Sequence, residues 1–428
     1  MILPTKAHLE WADCEMGVII HFDMSTFDAS YDWNTDWFNT PPPEAFNPDA
    51  LSVDQWMEVA AAAGAKYAVM VAKHCSGFCL WPTKVHNYHI GNSPYKGGEG
   101  DLIREFMNAC AKYGIKPGLY YSANYNSHLG ASPERLRAGT KKNWTQYYEV
   151  VMAQLRELWT NYGQLFEIWF DGGVMPVEEG GPDIAELLHK LQPEAVVFQG
   201  PPGAKTLIRW VGNERAEAPE NCSSIVDYRQ ESFDGTQEHT YAGSTFGNLW
   251  CPGESDMPNR EATQARLGGW FWAEGEEHLV FPGEELFQRY LRSVGRNSNL
   301  LIGMAINPHG LFTGPDEQAF RTLGALVKQH FSEPLLCASV VPDQTEYLLE
   351  VSGAPKYLVL AEDIAQGERI TKFCVEHIAS DGATTPIYEA QIVGHKRIVP
   401  LEGIVDGQIR FTVVECKAAP QMKTVALY

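Results

Sequence analysis

The chain has 428 residues, of which 44% are hydrophobic, and this composition is typical of a folded globular protein long enough for two domains. Its 54 acidic and 33 basic residues give a formal net charge of −21, which argues against nucleic acid and anionic membrane surfaces as partners. No apolar run approaches the roughly 20 residues that a membrane-spanning helix needs.

The first 330 or so residues alternate short apolar runs, typical of buried strands, with helix-like stretches. The runs are GVIIHF (17–22), YAVMVAKH (67–74), KPGLYYS (116–122), FEIWFD (166–171), AVVFQG (195–200), LIRWVG (207–212), NLWCPGE (248–254) and NLLIGMA (299–305). The helix-like stretches cover 52–63, 101–113, 141–162, 184–191 and 286–294, and glycine directly follows four of them. This alternation predicts an α/β fold, a (β/α)₈-like (TIM) barrel over residues 1–334.

The pattern changes after about residue 335, where strand-like segments follow one another without a helix-length pattern between them. These segments are YLLEVS, KYLVLAED, KFCVEHI, RIVPLEG, QIRFTVVEC and KTVALY. Their spacing of roughly ten residues is typical of a small antiparallel sandwich. Residues 335–428 are therefore predicted to form a β-sandwich domain behind a boundary near 332–334.

Polar and aromatic side chains stand where the predicted barrel strands end, and this end of a barrel carries the active site. They are His21, Lys73-His74, Tyr120-Tyr121-Ser122, Trp169-Phe170-Asp171, Asn213-Glu214, and Trp250 with Glu254. Each alone also fits a structural role, such as a helix cap or a core histidine. Together, aromatic rings and histidines around paired carboxylates suit a sugar, and two carboxylates suit glycoside hydrolysis.

Metal-assisted hydrolysis is a rival chemistry, because barrel hydrolases hold metals with His and Asp from several strands. His21, Asp23 and His74 are candidate ligands, but no H-x-H pair accompanies them. Loss of activity with EDTA would support this alternative. We expect neither a metal nor a cofactor.

The ordered segments resemble the family 29 glycoside hydrolases, the retaining α-L-fucosidases, nearly from end to end. They are GVIIHF, FNPDALSVDQW, VAKHCSGFCLWPT, NSPYKGGEGD, KYGIKPGLYYS, NYGQLFEIWFDGG, IRWVGNE, YLRSVGRNSNLLIGM, LAEDIAQGERITKFCVE and VGHKRI. The chain is most similar to the branch that acts on α-1,3 and α-1,4 fucose of Lewis-type structures. The resemblance implies a fucosylated oligosaccharide or glycan as substrate.

The resemblance also assigns roles to individual residues. Asp171 matches the nucleophile, and the flexible Gly172 and Gly173 behind it let the chain turn sharply beside a substrate. Glu214 matches the acid/base, and Glu254 is the second candidate for the acid or else a supporting or sugar-binding residue. The residues that match the fucose-holding positions are His21, His74, Tyr120 and Trp169.

Three segments depart from the family pattern. Where the family carries KHHDGF, this chain has Lys73 to Phe78 with Cys75 at the second histidine, and a thiol is a poor hydrogen-bond donor. The loops at 23–27 and 123–127 also differ, whereas His128 is retained. These departures leave two alternatives open: a glycosidase for a related sugar such as α-L-galactose, and a carbohydrate-binding protein with little turnover.

The remaining features concern the cell and the thiols. The N-terminus lacks the apolar core of a signal peptide, which predicts a cytoplasmic protein or one whose signal has been removed. Nine scattered cysteines predict free buried thiols rather than a disulfide framework or a zinc site. The oligomeric state is not readable from this sequence.

Overall fold

A closed parallel barrel forms the first part of the molecule in a computed structural model that describes residues 1–139, 141–227 and 241–428. Its strands are β1 (Met16–His21), β2 (Tyr67–Lys73), β3 (Lys116–Tyr121), β4 (Glu167–Trp169), β5 (Val196–Phe198), β6 (Leu207–Trp210), β9 (Gly253–Met257) and β10 (Ser298–Ala305). Between β6 and β9, β7 (Ile225–Val226) and β8 (Leu249–Trp250) pair as a separate antiparallel ribbon. The predicted eight-stranded barrel is confirmed.

The seventh barrel strand lies elsewhere than predicted. Residues 249–250 of the predicted run 248–254 belong to the ribbon, and the barrel strand begins only after Pro252. The barrel strand was missed because its inward side chains are the carboxyls Glu254 and Asp256, which do not read as an apolar run. Both are buried, and both have hydrogen-bond partners inside the barrel.

Most of the helices lie between consecutive barrel strands along the chain, whereas the first precedes β1 and the last follows β10. They are α1 (Lys6–Ala12), α2 (Met24–Phe27), α3 (Val53–Ala63), α4 (Leu102–Tyr113), α5 (Pro133–Ala138), α6 (Lys141–Asn161), α7 (Ile184–Leu191), α8 (Gly283–Ser293) and α9 (Pro315–Phe331). The five predicted helices are present, although α8 begins three residues earlier than the predicted 286. Ser52 and Asp101 cap α3 and α4, which both end at a left-handed glycine.

Helix α1, which the sequence did not predict, lies against the N-terminal ends of the strands. Its Trp11 donates a hydrogen bond to Glu167, the first residue of β4, and a His8 ring nitrogen bonds the Leu207 carbonyl at the start of β6. The end of the barrel opposite to the strand C-termini is therefore covered by the chain itself. Among the described helices, none is long and apolar enough to cross a membrane.

The second part of the molecule is a β-sandwich, as predicted. Its strands are β11 (Leu336–Cys337), β12 (Glu346–Glu350), β13 (Tyr357–Glu362), β14 (Ile370–Ile378), β15 (Thr384–Ala390), β16 (Arg397–Pro400), β17 (Gln408–Cys416) and β18 (Met422–Leu427). They form two four-stranded antiparallel sheets, β11-β18-β13-β16 and β12-β17-β14-β15, around one apolar core. The sequence missed β11 and β15. The boundary predicted at 334/335 falls between α9 and β11, and as a division into two domains it stays a prediction.

The cysteines are free, and Cys14, Cys75, Cys79, Cys110, Cys222 and Cys251 are buried. Cys337 and Cys416 are exposed and Cys374 is half-buried, so the prediction of buried thiols is wrong for the sandwich. These three lie on strands of a thin two-sheet domain, where alternate side chains face solvent.

Candidate active site

A cavity of about 420 Å³ opens at the C-terminal ends of the barrel strands. Its walls combine carboxyls, histidines and aromatic rings from the ends of five strands and the loops behind them. The lining residues are Ile19, His21, Trp33, Asn34, His74, Tyr120, Trp169, Asp171, Glu214, Asp256, Leu267, Gly268, Trp270 and Phe271. A volume of this size falls within the range of small-molecule sites.

Asp171 stands two residues beyond the end of β4, on the turn that begins there. Gly172 and Gly173 both adopt left-handed backbone conformations, with φ of 66° and 74°, which favour glycine over other residues. The Tyr120 hydroxyl donates to Asp171 Oδ2 at 2.9 Å. Burial raises the pKa of Asp171, and this hydrogen bond works against that rise. Asp171 is thus an oriented carboxyl facing the cavity.

Glu214 is carried by the loop behind β6, and that loop is tied down on both sides. The Asn213 side chain bonds the backbone of Arg215 and Glu217, and the Ala216 N–H donates to the Asp256 carbonyl at 3.0 Å. Ala216 has a φ of 51°, a strained conformation for a residue with a side chain. These contacts hold Glu214 at the rim of the cavity.

The environment of the Glu214 carboxyl favours its protonated form. Although the residue as a whole is exposed, its carboxyl faces the cavity, where burial and the charge of Asp171 raise its pKa. A hydrogen bond from Trp270 acts in the opposite direction. Because the rise prevails, the cavity presents one carboxyl that is suited to donating a proton.

His21 and His74 lie side by side in the wall, with ring centroids 5.8 Å apart. Burial lowers the pKa of His21 to about 3 and lowers that of His74 well below its usual range. Neither Nδ1 finds a hydrogen-bond partner among the described residues. Two neutral imidazoles are therefore present, and each can donate at one nitrogen and accept at the other.

The floor of the cavity is an aromatic stack. Trp169 stacks on Phe198 with centroids 4.0 Å apart and on Tyr120 at 5.4 Å, and Tyr120 stacks in turn on His74 at 5.7 Å. The ring of Trp169 is held at its edge by Glu254, which accepts from its Nε1 at 2.9 Å. A stack of this kind gives the cavity a rigid apolar floor, which can contact the apolar part of a sugar ring.

Glu254 lies beneath this stack and is fully buried. Tyr67 donates to its Oε1 at 2.7 Å and Trp169 to its Oε2, so both oxygens are engaged inside the barrel. Burial raises its pKa to about 7. The predicted role of Glu254 as an acid or a sugar-binding residue remains a prediction, from a position that is not part of the cavity lining.

Two further predicted residues also lie away from the lining. Cys75 is buried, and its Sγ lies 3.6 Å from Ser122 Oγ. The His128 ring stacks on Tyr88 at 4.2 Å and bonds Thr40. The predicted residues that do meet in the cavity are His21, His74, Tyr120, Trp169, Asp171 and Glu214.

Several lining residues were not predicted. Trp33 and Asn34 come from the long loop behind β1, and Trp270 and Phe271 from the loop behind β9, where no strand end marks them. Asp256 was missed because the seventh strand was misplaced. Residues two apart in a strand face the same side, so Glu254 and a correct strand would have pointed to Asp256.

Comparisons with known proteins agree on one family. The alpha-L-fucosidase family model matches residues 4–331. Alpha-L-fucosidase 1 of Arabidopsis thaliana is 29% identical over 100% of this chain and 87% of its own length. A candidate alpha-L-fucosidase 1 of Oryza sativa subsp. japonica is 30% identical over 98% of this chain and 83% of its own. Among solved structures, a candidate alpha-L-fucosidase of Bacteroides thetaiotaomicron is 30% identical, covers 100% of this chain and 99% of that one, and superposes with a TM-score of 0.91.

Proposed function

Because the chain belongs to the alpha-L-fucosidase family of glycoside hydrolases, we propose that it is a retaining exo-α-L-fucosidase with Asp171 as nucleophile and Glu214 as acid/base. The observation that carries this assignment is that both carboxyls line one cavity and that the charge of Asp171 acts on Glu214. Retaining glycosidases need two such groups about 5–5.5 Å apart, on opposite sides of the scissile bond.

The surroundings of Asp171 support its role as nucleophile. A carboxylate attacks through an oxygen that is not engaged elsewhere, and the Tyr120 bond holds Oδ2 while orienting the group. The same bond favours the ionised form that the attack requires. The turn through Gly172 and Gly173 brings the carboxyl to the edge of the barrel instead of leaving it in the strand.

Glu214 is better placed than Glu254 for the acid/base role. It lines the cavity, its pKa is raised, and it remains open to water, which the second half of the reaction needs. Glu254 lies below Trp169, with Tyr67 and Trp169 on its two oxygens. A proton on Glu254 has no direct contact with a sugar bound in the cavity.

The remaining lining residues suit the recognition of a terminal sugar. The neutral rings of His21 and His74 offer hydrogen bonds to hydroxyl groups, and the stacked rings of Tyr120 and Trp169 offer apolar contact. A closed barrel floor beneath them accepts the end of a chain rather than its middle. These features support an exo-acting enzyme that removes one fucosyl unit.

The reaction then follows from the two carboxyls. Asp171 attacks the anomeric carbon while Glu214 gives its proton to the departing glycosidic oxygen, so a fucosyl–Asp171 ester forms with inversion. Glu214, now ionised, takes a proton from a water that attacks the same carbon. The second inversion releases fucose with its original anomeric configuration and returns Glu214 to its protonated state.

The proposal also specifies which fucosyl linkage the enzyme cleaves. The VGNE segment that carries Glu214 resembles the branch that cleaves α-1,3 and α-1,4 fucose, and we assign this chain to the same linkages. The altered residues Cys75 and Ser76 do not argue against this, because neither is part of the cavity lining.

A panel of fucosylated oligosaccharides with α-1,2, α-1,3, α-1,4 and α-1,6 linkages, together with an aryl α-L-fucoside, tests the proposal. Free fucose is measured for the wild type and for Asp171→Asn. Release from the Lewis-type trisaccharides that is absent in the variant supports the activity, the linkage and the role of Asp171. Release from another linkage overturns the linkage alone, whereas folded protein that releases no fucose overturns the function. An L-galactoside and a sugar-binding assay then test the two alternatives.

A further inference from the structure

The cavity holds three carboxyls, whereas the proposed reaction uses two. The third is Asp256, on the strand next to the one that carries the Glu214 loop. It is only 3% exposed, yet it lines the cavity. A buried carboxyl that faces a binding site is costly unless it has partners or a function.

Asp256 is held rigidly on the protein side. Trp210 Nε1 donates to its Oδ1 at 2.7 Å, and its own carbonyl accepts from the N–H of Ala216 in the Glu214 loop. Oδ1 thus accepts a hydrogen bond from within the protein. The group cannot rotate without breaking the Trp210 bond, so the other oxygen has a defined direction.

The charges around Asp256 decide what this other oxygen can do. Burial and, after it, the neighbouring Glu214 raise the pKa of Asp256 well above its usual range, and Glu254 on the same strand adds to the rise. Both influences favour the protonated form of Asp256. In that form Oδ1 accepts from Trp210, so the proton lies on Oδ2, which can donate a hydrogen bond into the cavity.

We propose that Asp256 binds the fucosyl unit by donating a hydrogen bond from Oδ2 to its 2-hydroxyl group. This inference rests on the proposed function, since Glu214 must contact the glycosidic oxygen on C1. Among the hydroxyls of the sugar, the one on C2 is closest to that oxygen, and Asp256 is the neighbour of Glu214 in the cavity wall. Hydrogen bonds to a 2-hydroxyl strengthen in the transition state of glycosidases, so this contact promotes the chemical step.

The test compares Asp256→Asn with Asp256→Ala on an aryl α-L-fucoside and on its 2-deoxy analogue. Asparagine keeps an acceptor for Trp210 and a donor for the sugar, whereas alanine removes both. We expect kcat/KM on the fucoside to fall about 30- to 100-fold for Asp256→Ala and only about three- to fivefold for Asp256→Asn. On the 2-deoxy substrate the two variants and the wild type should differ by less than about threefold, because the bonded hydroxyl is gone.

Two results overturn the inference. If Asp256→Asn is as impaired as Asp256→Ala, the group acts as a carboxylate and not as a donor. If the kcat/KM of Asp256→Ala falls by the same factor on both substrates, the contact does not involve the 2-hydroxyl. A wild type that hydrolyses no fucoside refutes the proposed function instead, which keeps the two failures apart. Thermal unfolding of each variant reports whether a loss of kcat/KM reflects misfolding. Trp210→Phe leaves the Asp256 carboxyl in place but removes the bond that orients it. If Asp256→Ala does not fold, a fall in kcat/KM of Trp210→Phe on the fucoside, but not on the 2-deoxy substrate, tests the same inference.

Discussion

The barrel contains two sets of buried or partly buried carboxyls that differ in what surrounds them. The upper set, Asp171, Glu214 and Asp256, lines the cavity at the strand C-termini. The lower pair, Glu167 and Glu254, lies beneath Trp169 and is fully buried. Burial raises the pKa in both places, so low polarity alone does not distinguish them.

The two sets differ in how the protein uses their hydrogen-bonding capacity. Each upper carboxyl receives a bond from one aromatic side chain and faces the cavity with the rest of the group; the donors are Tyr120, Trp270 and Trp210. The lower pair accepts hydrogen bonds from Trp11, Tyr67 and Trp169, all of them inside the barrel. Burial and the neighbouring Glu254 raise the pKa of Glu167 well above its usual range. A candidate catalytic carboxyl is therefore distinguished from a structural one by hydrogen-bonding positions that face the cavity, and not by a raised pKa.

The largest effect is expected from Asp171→Asn in the upper set. Amide nitrogen or oxygen cannot replace the carboxylate as nucleophile, so kcat/KM on an aryl α-L-fucoside should fall about 10⁴-fold or more. The amide still accepts the Tyr120 bond, so thermal stability should stay close to that of the wild type. Residual activity above about 1% would contradict the nucleophile assignment.

Glu214→Gln should come next, with an effect that depends on the leaving group. The variant cannot protonate the departing oxygen, so hydrolysis of oligosaccharides should fall about 10²- to 10⁴-fold. An aryl fucoside with an acidic phenol needs little protonation and should lose far less in its first step. Azide, which needs no general base, should restore turnover and give the α-configured fucosyl azide. A β-configured product would contradict the double displacement.

The pH dependence of kcat/KM should be bell-shaped, with the acid limb set by Asp171 and the alkaline limb set by Glu214. The reaction needs Asp171 ionised, so activity falls as pH drops through its raised pKa. It needs Glu214 protonated, so activity falls as pH rises through its raised pKa. Both limbs should lie above the ordinary values of about 3.9 and 4.3 for Asp and Glu. Glu214→Gln should remove the alkaline limb; persistence of that limb would assign it to another group.

In the lower pair, Glu254→Gln should change stability more than catalysis. Glutamine offers one acceptor where Tyr67 and Trp169 need two, so one buried donor loses its partner at a cost of about 1–3 kcal/mol. Urea unfolding measures this loss, and kcat/KM on an aryl fucoside should fall only about two- to fivefold through the displaced Trp169. A loss as large as that of Glu214→Gln would place Glu254 among the catalytic groups.

The smallest effect is expected for Cys75→Ser. The cysteine is buried beside Ser122 and is not part of the cavity lining, so the change should alter kcat/KM by less than about threefold. A change of tenfold or more, measured on the same aryl fucoside, would show that the thiol contributes to sugar binding after all.

The barrel was readable from the sequence wherever a strand is apolar on its inner face, as in β1, β2 and β10. Strand β9 was misplaced because it carries Glu254 and Asp256 inward, and their partners Tyr67, Trp169 and Trp210 come from other strands. Pairing across a barrel is long-range information that a local pattern does not hold. Strand β15 was missed for a different reason: most of its residues are not buried, so its sequence has no apolar pattern.

The residues of the candidate site likewise divide into those that a local sequence pattern could locate and those that it could not. Asp171, His21, His74 and Tyr120 could be located because each stands at the end of a recognisable strand. Trp33 and Trp270 reach the cavity from long loops, whose course no periodicity predicts. Glu254 is the opposite case: its position near a predicted strand end suggested a functional group, and the structure adds that Tyr67 and Trp169 donate to its two oxygens.

The most direct test of the account is to trap the covalent intermediate. A 2-deoxy-2-fluoro-α-L-fucosyl fluoride slows the second step more than the first step, so the fucosyl ester accumulates and can be located by peptide mass spectrometry. The account predicts one fluorofucosyl adduct on the peptide that contains Asp171, and no adduct in Asp171→Asn. An adduct on a peptide that lacks Asp171, or fucose release with inverted configuration and no adduct, would contradict it.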